Sequence, residues 1–511
     1  MEGPQLNSKT NQMKKLVLFF LIGSFSQIAF SQQKGNDKKL DAMIVEGMKD
    51  WKVPGLAAIV VKDGEVVFQK TYGVKNLETK EPVDENTLFN MASTTKAIVA
   101  IAMGMLVDDG KLDWDDKVTD YVPYFKLSDS YTTADARVKD LLTHNLGIGN
   151  ADALWTLDSV STKETIQHFR FAEKTYPLRG GFTYQNIMYA VAGEVIAAAS
   201  GKPWYKFVQE RIFNPLEMTR TQAVAADIFK AGNYVTPYLN DDEDGMVEVD
   251  YGFSDQIGPA GMICSTAHDI SNYLTFLVND GVYKQDTLVQ PKTFKKLFEP
   301  HSFLGTTGIY PTNALTKPNW NTYGLGWFQQ DYKGHKLDFH TGSLFGLVAI
   351  AGIMHDKDVA VYVFANLDHA ELRHAILYKA MDLYAFEDNS RDWHKEVFNL
   401  YEGFKKEGIE KAKQEDSERV KNTNPSLPLS NYEGTYTNQM LGTAKITLED
   451  GSLQINFNDF ITYTTEHWHY NTFITNKDPR FYERIKVNFD LNEAGKISQF
   501  HIMGRKFTKE K

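Results

Sequence analysis

Ser93-Thr94-Thr95-Lys96 runs straight into an apolar stretch, Ala97-Ile98-Val99-Ala100-Ile101-Ala102-Met103-Gly104-Met105-Leu106-Val107. The stretch is long and unbroken enough to predict a buried helix, with Ser93 and Lys96 in its first turn. Positions i and i+3 share a helix face, so the hydroxyl and the amine can meet. A serine hydroxyl is a weak nucleophile until a neighbour accepts its proton. A helix N-terminus also leaves backbone N–H groups unpaired, and these can hold a developing oxyanion. One short segment can therefore supply nucleophile, base and part of an oxyanion hole. The spacing alone does not decide the matter. Ser31 and Lys34 share it by chance, and such a pair is more often a capped helix with a solvated lysine. The reading needs partners elsewhere in the chain.

At 511 residues the chain is too long for one ordinary core, and two domains are expected. A hydrophobic fraction of 42% with 13% aromatics supports large packed cores and argues against disorder. The net charge is −11 and there is no basic block. That composition argues against nucleic acid as a partner, because such binding needs clustered Lys and Arg. Cys264 stands alone, so neither an intramolecular disulfide nor a cysteine-rich metal site can form. It reads as a small buried residue. No metal or cofactor is expected.

The N-terminus reads as an export signal over residues 1–31. Lys14-Lys15 precede an apolar run from Leu16 to Phe30, and Ala29-Phe30-Ser31 offers a small-x-small cleavage site. Met13 is a candidate true start. The run is shorter than the ~20 apolar residues of a spanning helix. Cleavage and a periplasmic or secreted location are therefore expected.

Leu40 to Trp51 predicts an amphipathic helix. Leu56–Val61, Asp63-Gly64 and Glu65–Phe68 predict a β-hairpin with an Asp-Gly turn. A mostly helical middle follows, from about Ala97 to Phe276. Strands return at Tyr323–Phe328, Gly346–Ile353 and Asp358–Phe364, and a helix from Glu371 to Tyr384 closes the unit. An early hairpin, a helical middle and late strands predict an α+β fold, with one antiparallel sheet drawn from both ends of the segment. The expected divisions are an α+β domain over 36–387, a charged helical linker over 388–427, and an all-β barrel-like or sandwich domain over 428–511.

Two further segments complete a catalytic constellation. Tyr184-Gln185-Asn186 follows a Gly180-Gly181 turn and precedes an apolar helix. The Tyr184 phenol can relay protons if a cation such as Lys96 depresses its pKa from ~10. The Asn186 amide can donate to a substrate carbonyl and to Lys96. Tyr238-Leu239-Asn240 and Tyr436-Thr437-Asn438 share the pattern but not its setting. His340-Thr341-Gly342-Ser343 enters a strand. Gly342 there lets a substrate approach the backbone, and the Ser343 N–H can be a second oxyanion donor. His144, in Leu141-Leu142-Thr143-His144, reads as a loop brace rather than a base.

Taken in order, these segments resemble the class C β-lactamase and penicillin-binding-protein-like serine hydrolases of the CubicO type. The Leu141–His144 stretch and Gly258-Pro259-Ala260-Gly261-Met262 are also typical of that family. The resemblance covers about Leu40 to Tyr384, and the all-β tail resembles an appended lipocalin-like domain. It implies a β-lactamase/transpeptidase-like fold, an antiparallel sheet beside a helical domain with the site between them. It also implies catalytic roles for Ser93, Lys96 and Tyr184, and substrate-binding roles for Asn186, His340, Thr341, Gly342 and Ser343. The family's β-lactamases carry lysine where this chain has His340. Imidazole, with an ordinary pKa of ~6.5, suits the carboxylate of a β-lactam less well. An exported esterase- or peptidase-like hydrolase acting on a small molecule or peptide is therefore expected. A true β-lactamase and a non-catalytic penicillin-binding or peptidoglycan-fragment sensor are the alternatives. Natural substrate and oligomeric state stay open.

Overall fold

Along the strand Gly55–Lys62, successive side chains enter opposite cores. Ala57, Ile59 and Val61 pack on one side of the sheet and Leu56, Ala58 and Val60 on the other. That is the period-two split of a strand covered on both faces. The computed structural model describes residues 35–305 and 309–511. The proposed export signal and the Ser31–Lys34 pair lie outside the described residues.

The central sheet has eight antiparallel strands. Their order is Glu65–Gly73, Gly55–Lys62, Val359–Ala365, Leu347–Met354, His335–Leu344, Phe328–Tyr332, Asn321–Tyr323 and Ser302–Phe303. Gly55–Lys62 pairs with Val359–Ala365, so the sheet does join early and late strands. Its first hairpin turns at Asp63 (φ 53°) and Gly64 (φ 80°), the doubly positive geometry that suits Asp-Gly. The helices Thr95–Asp108, Asn186–Ser200 and Ala267–Val278 belong to the core on one face. The helix over 35–51, Leu372–Ala385 and the start of Trp393–Ser417 cover the other. The mixed α and β composition and this layering are the expected α+β fold.

Two local expectations change. Tyr323–Phe328 is not one strand. Asn321–Tyr323 and Phe328–Tyr332 are paired strands, and residues 324–327 form the turn between them. The Gly324 N–H donates to the Trp327 carbonyl, and Gly326 (φ 85°) presses on the backbone of Lys96 and Ala97. The helical middle also contains a small hairpin, Tyr238–Asp241 with Gly245–Glu248.

The helix Trp393–Ser417 buries only Trp393, His394 and Val397, as its charged sequence requires. Beyond it, eight antiparallel strands from Gly434–Asn438 to Arg505–Lys509 close into a barrel. Closure comes from Tyr436↔Lys509 and Thr437↔Thr508. Aromatic rings fill the interior: Tyr436 lies 5.1 Å from Phe500, which stacks 5.0 Å from Phe507. No described helix is long and apolar enough to cross a membrane.

Candidate active site

Ser93 sits in a short 3₁₀ turn, Ala92–Thr94, that leads into the helix Thr95–Asp108. Ala92 just before it has φ 44°. This left-handed backbone is uncommon outside glycine and is maintained only where the surroundings enforce it. The Lys96 side chain is fully buried and its Nζ lies 3.0 Å from Ser93 Oγ. It also donates to Asn186 Oδ1 at 2.8 Å and to the Ala260 carbonyl at 2.6 Å.

As an ammonium, Lys96 can donate to all three, Ser93 Oγ included, and losing a proton changes that. Both carbonyl oxygens can only accept. A neutral amine has two N–H bonds, and those two acceptors use them. Its lone pair is then left for Ser93 Oγ. Burial lowers the pKa of Lys96 to about 7, while the nearby Asp152 carboxylate pulls it back up. Near neutrality a large fraction of Lys96 is therefore uncharged and able to take a proton.

Tyr184 behaves differently from the sequence expectation. Ser93 beside it lowers its pKa, and the Lys96 amine lies 4.9 Å from its ring centre. Burial nonetheless drives its pKa well above 10, and the influence of Ser93 only partly offsets that. Lys96 does not produce a phenolate here. The cation expected to depress the phenol is itself the group that loses its charge. Tyr184 stays protonated, and neutral Lys96 is the nitrogen with a lone pair beside Ser93 Oγ.

Asn186 opens the helix Asn186–Ser200. Its amide accepts from Lys96 rather than donating to it, and its Nδ2 donates to Asp152 Oδ1 at 3.0 Å. Asp152 also accepts from the Trp155 indole at 3.1 Å and from Asn150 at 3.0 Å. His144 braces this loop as expected. Its Nδ1 accepts from the Gln185 N–H at 3.0 Å, and its ring lies 4.3 Å from that of Tyr184. Burial holds it well below 6.5, hence neutral.

The opposite wall is the strand His335–Leu344. A Cβ on Gly342 would fall 2.4 Å from the Met91 carbonyl and 3.0 Å from Ser93 N, so only glycine fits. Pairing with Phe328–Tyr332 stops at Phe339↔Phe328, whereas pairing with Leu347–Met354 continues to Leu344↔Leu347. From His340 onward one edge of the strand has no strand partner. A strand edge of this kind presents backbone N–H and C=O groups. The two-residue turn makes Leu344 and Leu347 a hydrogen-bonded pair. By alternation Gly342 faces its neighbour strand, and the Ser343 N–H faces the open edge. The side chains of Thr341 and Ser343 point to the far side of the sheet. Thr341 Oγ1 meets the Tyr310 hydroxyl at 2.7 Å, and Ser343 Oγ accepts from Arg373 at 3.0 Å. Arg373 also donates to the Gly342 carbonyl and is paired with the buried Glu371.

His340 carries no cation. It is 1% exposed, its Nδ1 donates to the Thr341 carbonyl at 2.6 Å, and its Nε2 accepts from the Tyr323 hydroxyl at 3.0 Å. Burial and the nearby Lys96 charge lower its pKa to about 3. The site thus brings together Ser93, Lys96, Tyr184, Asn186 and the Gly342–Ser343 backbone. It turns the functional atoms of His340 and Thr341 elsewhere. Asp152, the Ala260 carbonyl, Tyr323 and Arg373 were not singled out from sequence. The Gly258–Gly261 stretch shows in sequence as a family motif, with no chemistry of its own to read.

A family model described as Beta-lactamase matches residues 40–386. The chain belongs to the beta-lactamase family. A second model, described as Domain of unknown function (DUF3471), matches residues 418–510. Among curated proteins, the chain is 26% identical over 449 residues to the unguisins hydrolase ungD of Aspergillus violaceofuscus, covering 82% of this chain and 78% of the other. It is 24% identical to Protein flp of Staphylococcus aureus (strain NCTC 8325 / PS 47), covering 65% and 64%. Among solved structures, the octameric penicillin-binding protein homologue from Pyrococcus abyssi aligns with TM-score 0.62 at 22% identity, covering 92% and 99%. The D-amino acid amidase of Ochrobactrum anthropi SV3 aligns with TM-score 0.55 at 23% identity, covering 69% and 98%. The fold is that of the beta-lactamase and penicillin-binding-protein group, generally serine hydrolases.

Proposed function

We propose that this chain is a serine hydrolase that forms an acyl-enzyme on Ser93. The observation that carries the proposal is the wiring of Lys96: its Nζ meets two carbonyl oxygens and Ser93 Oγ, so that once neutral it has a lone pair for the Ser93 hydroxyl. Neutral Lys96 takes the Ser93 proton as Oγ attacks the substrate carbonyl. The N–H groups of Ser93 and Ser343 hold the oxyanion. The proton passes to the leaving group through Tyr184, an acyl–Oγ bond remains, and water then releases the acyl group by the reverse proton path. Two relatives named as a hydrolase and an amidase support amide or ester cleavage. The neutral, capped His340 favours such substrates over β-lactams, whose carboxylate needs a cation. A small-molecule or peptide substrate is proposed, in the periplasm or outside the cell, after removal of residues 1–31. N-terminal sequencing of the mature protein tests that export.

Intact-mass spectrometry with a fluorophosphonate tests the chemistry. Wild type should gain one adduct and Ser93→Ala none, with both variants folded. Labelling that persists in Ser93→Ala would overturn the nucleophile assignment.

A further inference from the structure

The barrel does not hang free of the hydrolase domain. Three of its side chains reach one short segment, residues 150–157. Arg505 donates to the Asn150 carbonyl at 2.7 Å, Arg480 to the Thr156 carbonyl at 2.7 Å, and Asn458 to the Leu157 carbonyl at 3.1 Å. Phe481 packs 5.9 Å from Phe345, two residues past Ser343. The gripped segment carries Asp152 and Trp155. Asp152 holds the Asn186 amide, which holds Lys96. A cavity of ≈ 600 Å³ lies along the same seam and takes walls from both units, a size suited to a small-molecule group. Trp155, Tyr251 and Phe253 come from the hydrolase side, and Phe460 with Arg480 from the barrel.

The chemistry of the lining narrows what fits. The aromatic walls offer stacking surfaces. Arg480 is already satisfied by both oxygens of Asp478, at 3.0 and 2.8 Å, so it offers an anion little. Asp158 and Asp255 also line the cavity, and their carboxylates repel negative groups. Trp155 continues the wall toward the cleft, where its ring lies 6.1 Å from Phe345. Phe460 is 44% exposed and does not plug the barrel core. With Trp155, Tyr251 and Phe253 it forms a continuous aromatic lining rather than one isolated exposed ring.

We propose that the barrel completes the substrate cleft: it clamps the loop that bears Asp152, and with Phe460 it builds a subsite for an aromatic, uncharged or cationic side group next to the scissile carbonyl. This rests on the Ser93 hydrolase reading for its catalytic meaning, but the binding itself is separable. The experiment titrates two uncharged amides, phenylacetamide-type and acetamide-type with a common amine, into full-length Ser93→Ala by calorimetry. The aromatic amide should bind at least about tenfold tighter, the scale of one well-placed ring contact. Adding Phe460→Ala should collapse that preference, and Phe460→Trp should keep it. Equal affinity for the two amides, or a preference that survives Phe460→Ala, would overturn the subsite. Fluorophosphonate labelling of wild type reports on the catalytic reading separately. An unlabelled wild type with an intact aromatic preference would remove the hydrolase and leave the subsite.

Discussion

Lys96 and His340 are nitrogen bases enclosed on the two walls of one cleft. Burial lowers both, Lys96 to about 7 and His340 to about 3. The difference lies in where each lone pair goes. Neutral Lys96 gives its N–H bonds to Asn186 and Ala260 and keeps its lone pair for Ser93. His340 gives its N–H to the Thr341 carbonyl, and the Tyr323 hydroxyl occupies its lone pair. Burial makes a base neutral, and its hydrogen-bond partners decide whether it can act. The helical wall thus works through side chains. The strand wall works through backbone, and its side chains serve to hold that backbone in place.

If this division is right, the largest effect should come from Lys96. Lys96→Gln replaces the amine with a somewhat shorter neutral amide that has no basic lone pair. It should lower kcat/KM for an activated ester by about 10²–10⁴-fold, the usual worth of a general base. In wild type, protonation of Lys96 stops it accepting. Activity should therefore fall as pH drops through about 7 and level off above it. A profile flat between pH 5 and 8 would break the assignment of Lys96 as base.

On the strand wall the sensitive position is Gly342. An alanine Cβ there would meet the Met91 carbonyl at 2.4 Å and Ser93 N at 3.0 Å. Both oxyanion donors would have to shift. Gly342→Ala should cost kcat roughly 10²–10³-fold, the scale of losing one such donor. Far-UV circular dichroism should stay native. Activity within a few-fold of wild type would show that the strand does not frame the oxyanion.

Tyr184→Phe sharpens the same contrast. Tyr184 stays protonated, so its loss removes a donor and relay but not the base. The rate should fall by at least about 10²-fold. The acid limb near pH 7 should remain, because Lys96 sets it. Loss of that limb in Tyr184→Phe would transfer the base role to the phenol.

What could be seen in sequence was local. The Ser93–Lys96 pair shows in i,i+3 spacing, the first hairpin in Asp63-Gly64, and the barrel in short alternating strands separated by turns. The position of Gly342 on a strand entry was also readable. Contacts between distant segments left no local pattern. Asp152 meets Asn186, and the Ala260 carbonyl meets Lys96, only once the loops fold together. The sign of the Tyr184 shift was unreadable for the same reason. Proximity to Lys96 was visible in the pattern, but the burial that outweighs it is a property of the whole site. The Tyr323–Phe328 run was misread because a strand-like composition hid the turn at Gly324 and Gly326.

The smallest effect is expected from His340. Histidine often brings a charge change into the range of pH 5–8, and one inside an active cleft invites that role. Here the acceptor nitrogen is filled by a phenol that donates, and the other nitrogen is spent on a carbonyl. Protonating Nε2 would force the Tyr323 hydroxyl to turn and accept, and would place two cations near each other, since Lys96 already lowers His340. His340 should therefore stay neutral down to about pH 3. His340→Gln, which retains an acceptor for Tyr323, should leave the acid limb of kcat/KM where wild type has it. Overlapping profiles for the two proteins would confine the pH response to Lys96. A limb displaced by a full pH unit would mean that His340 titrates in the working range, and the two walls would then share the proton chemistry.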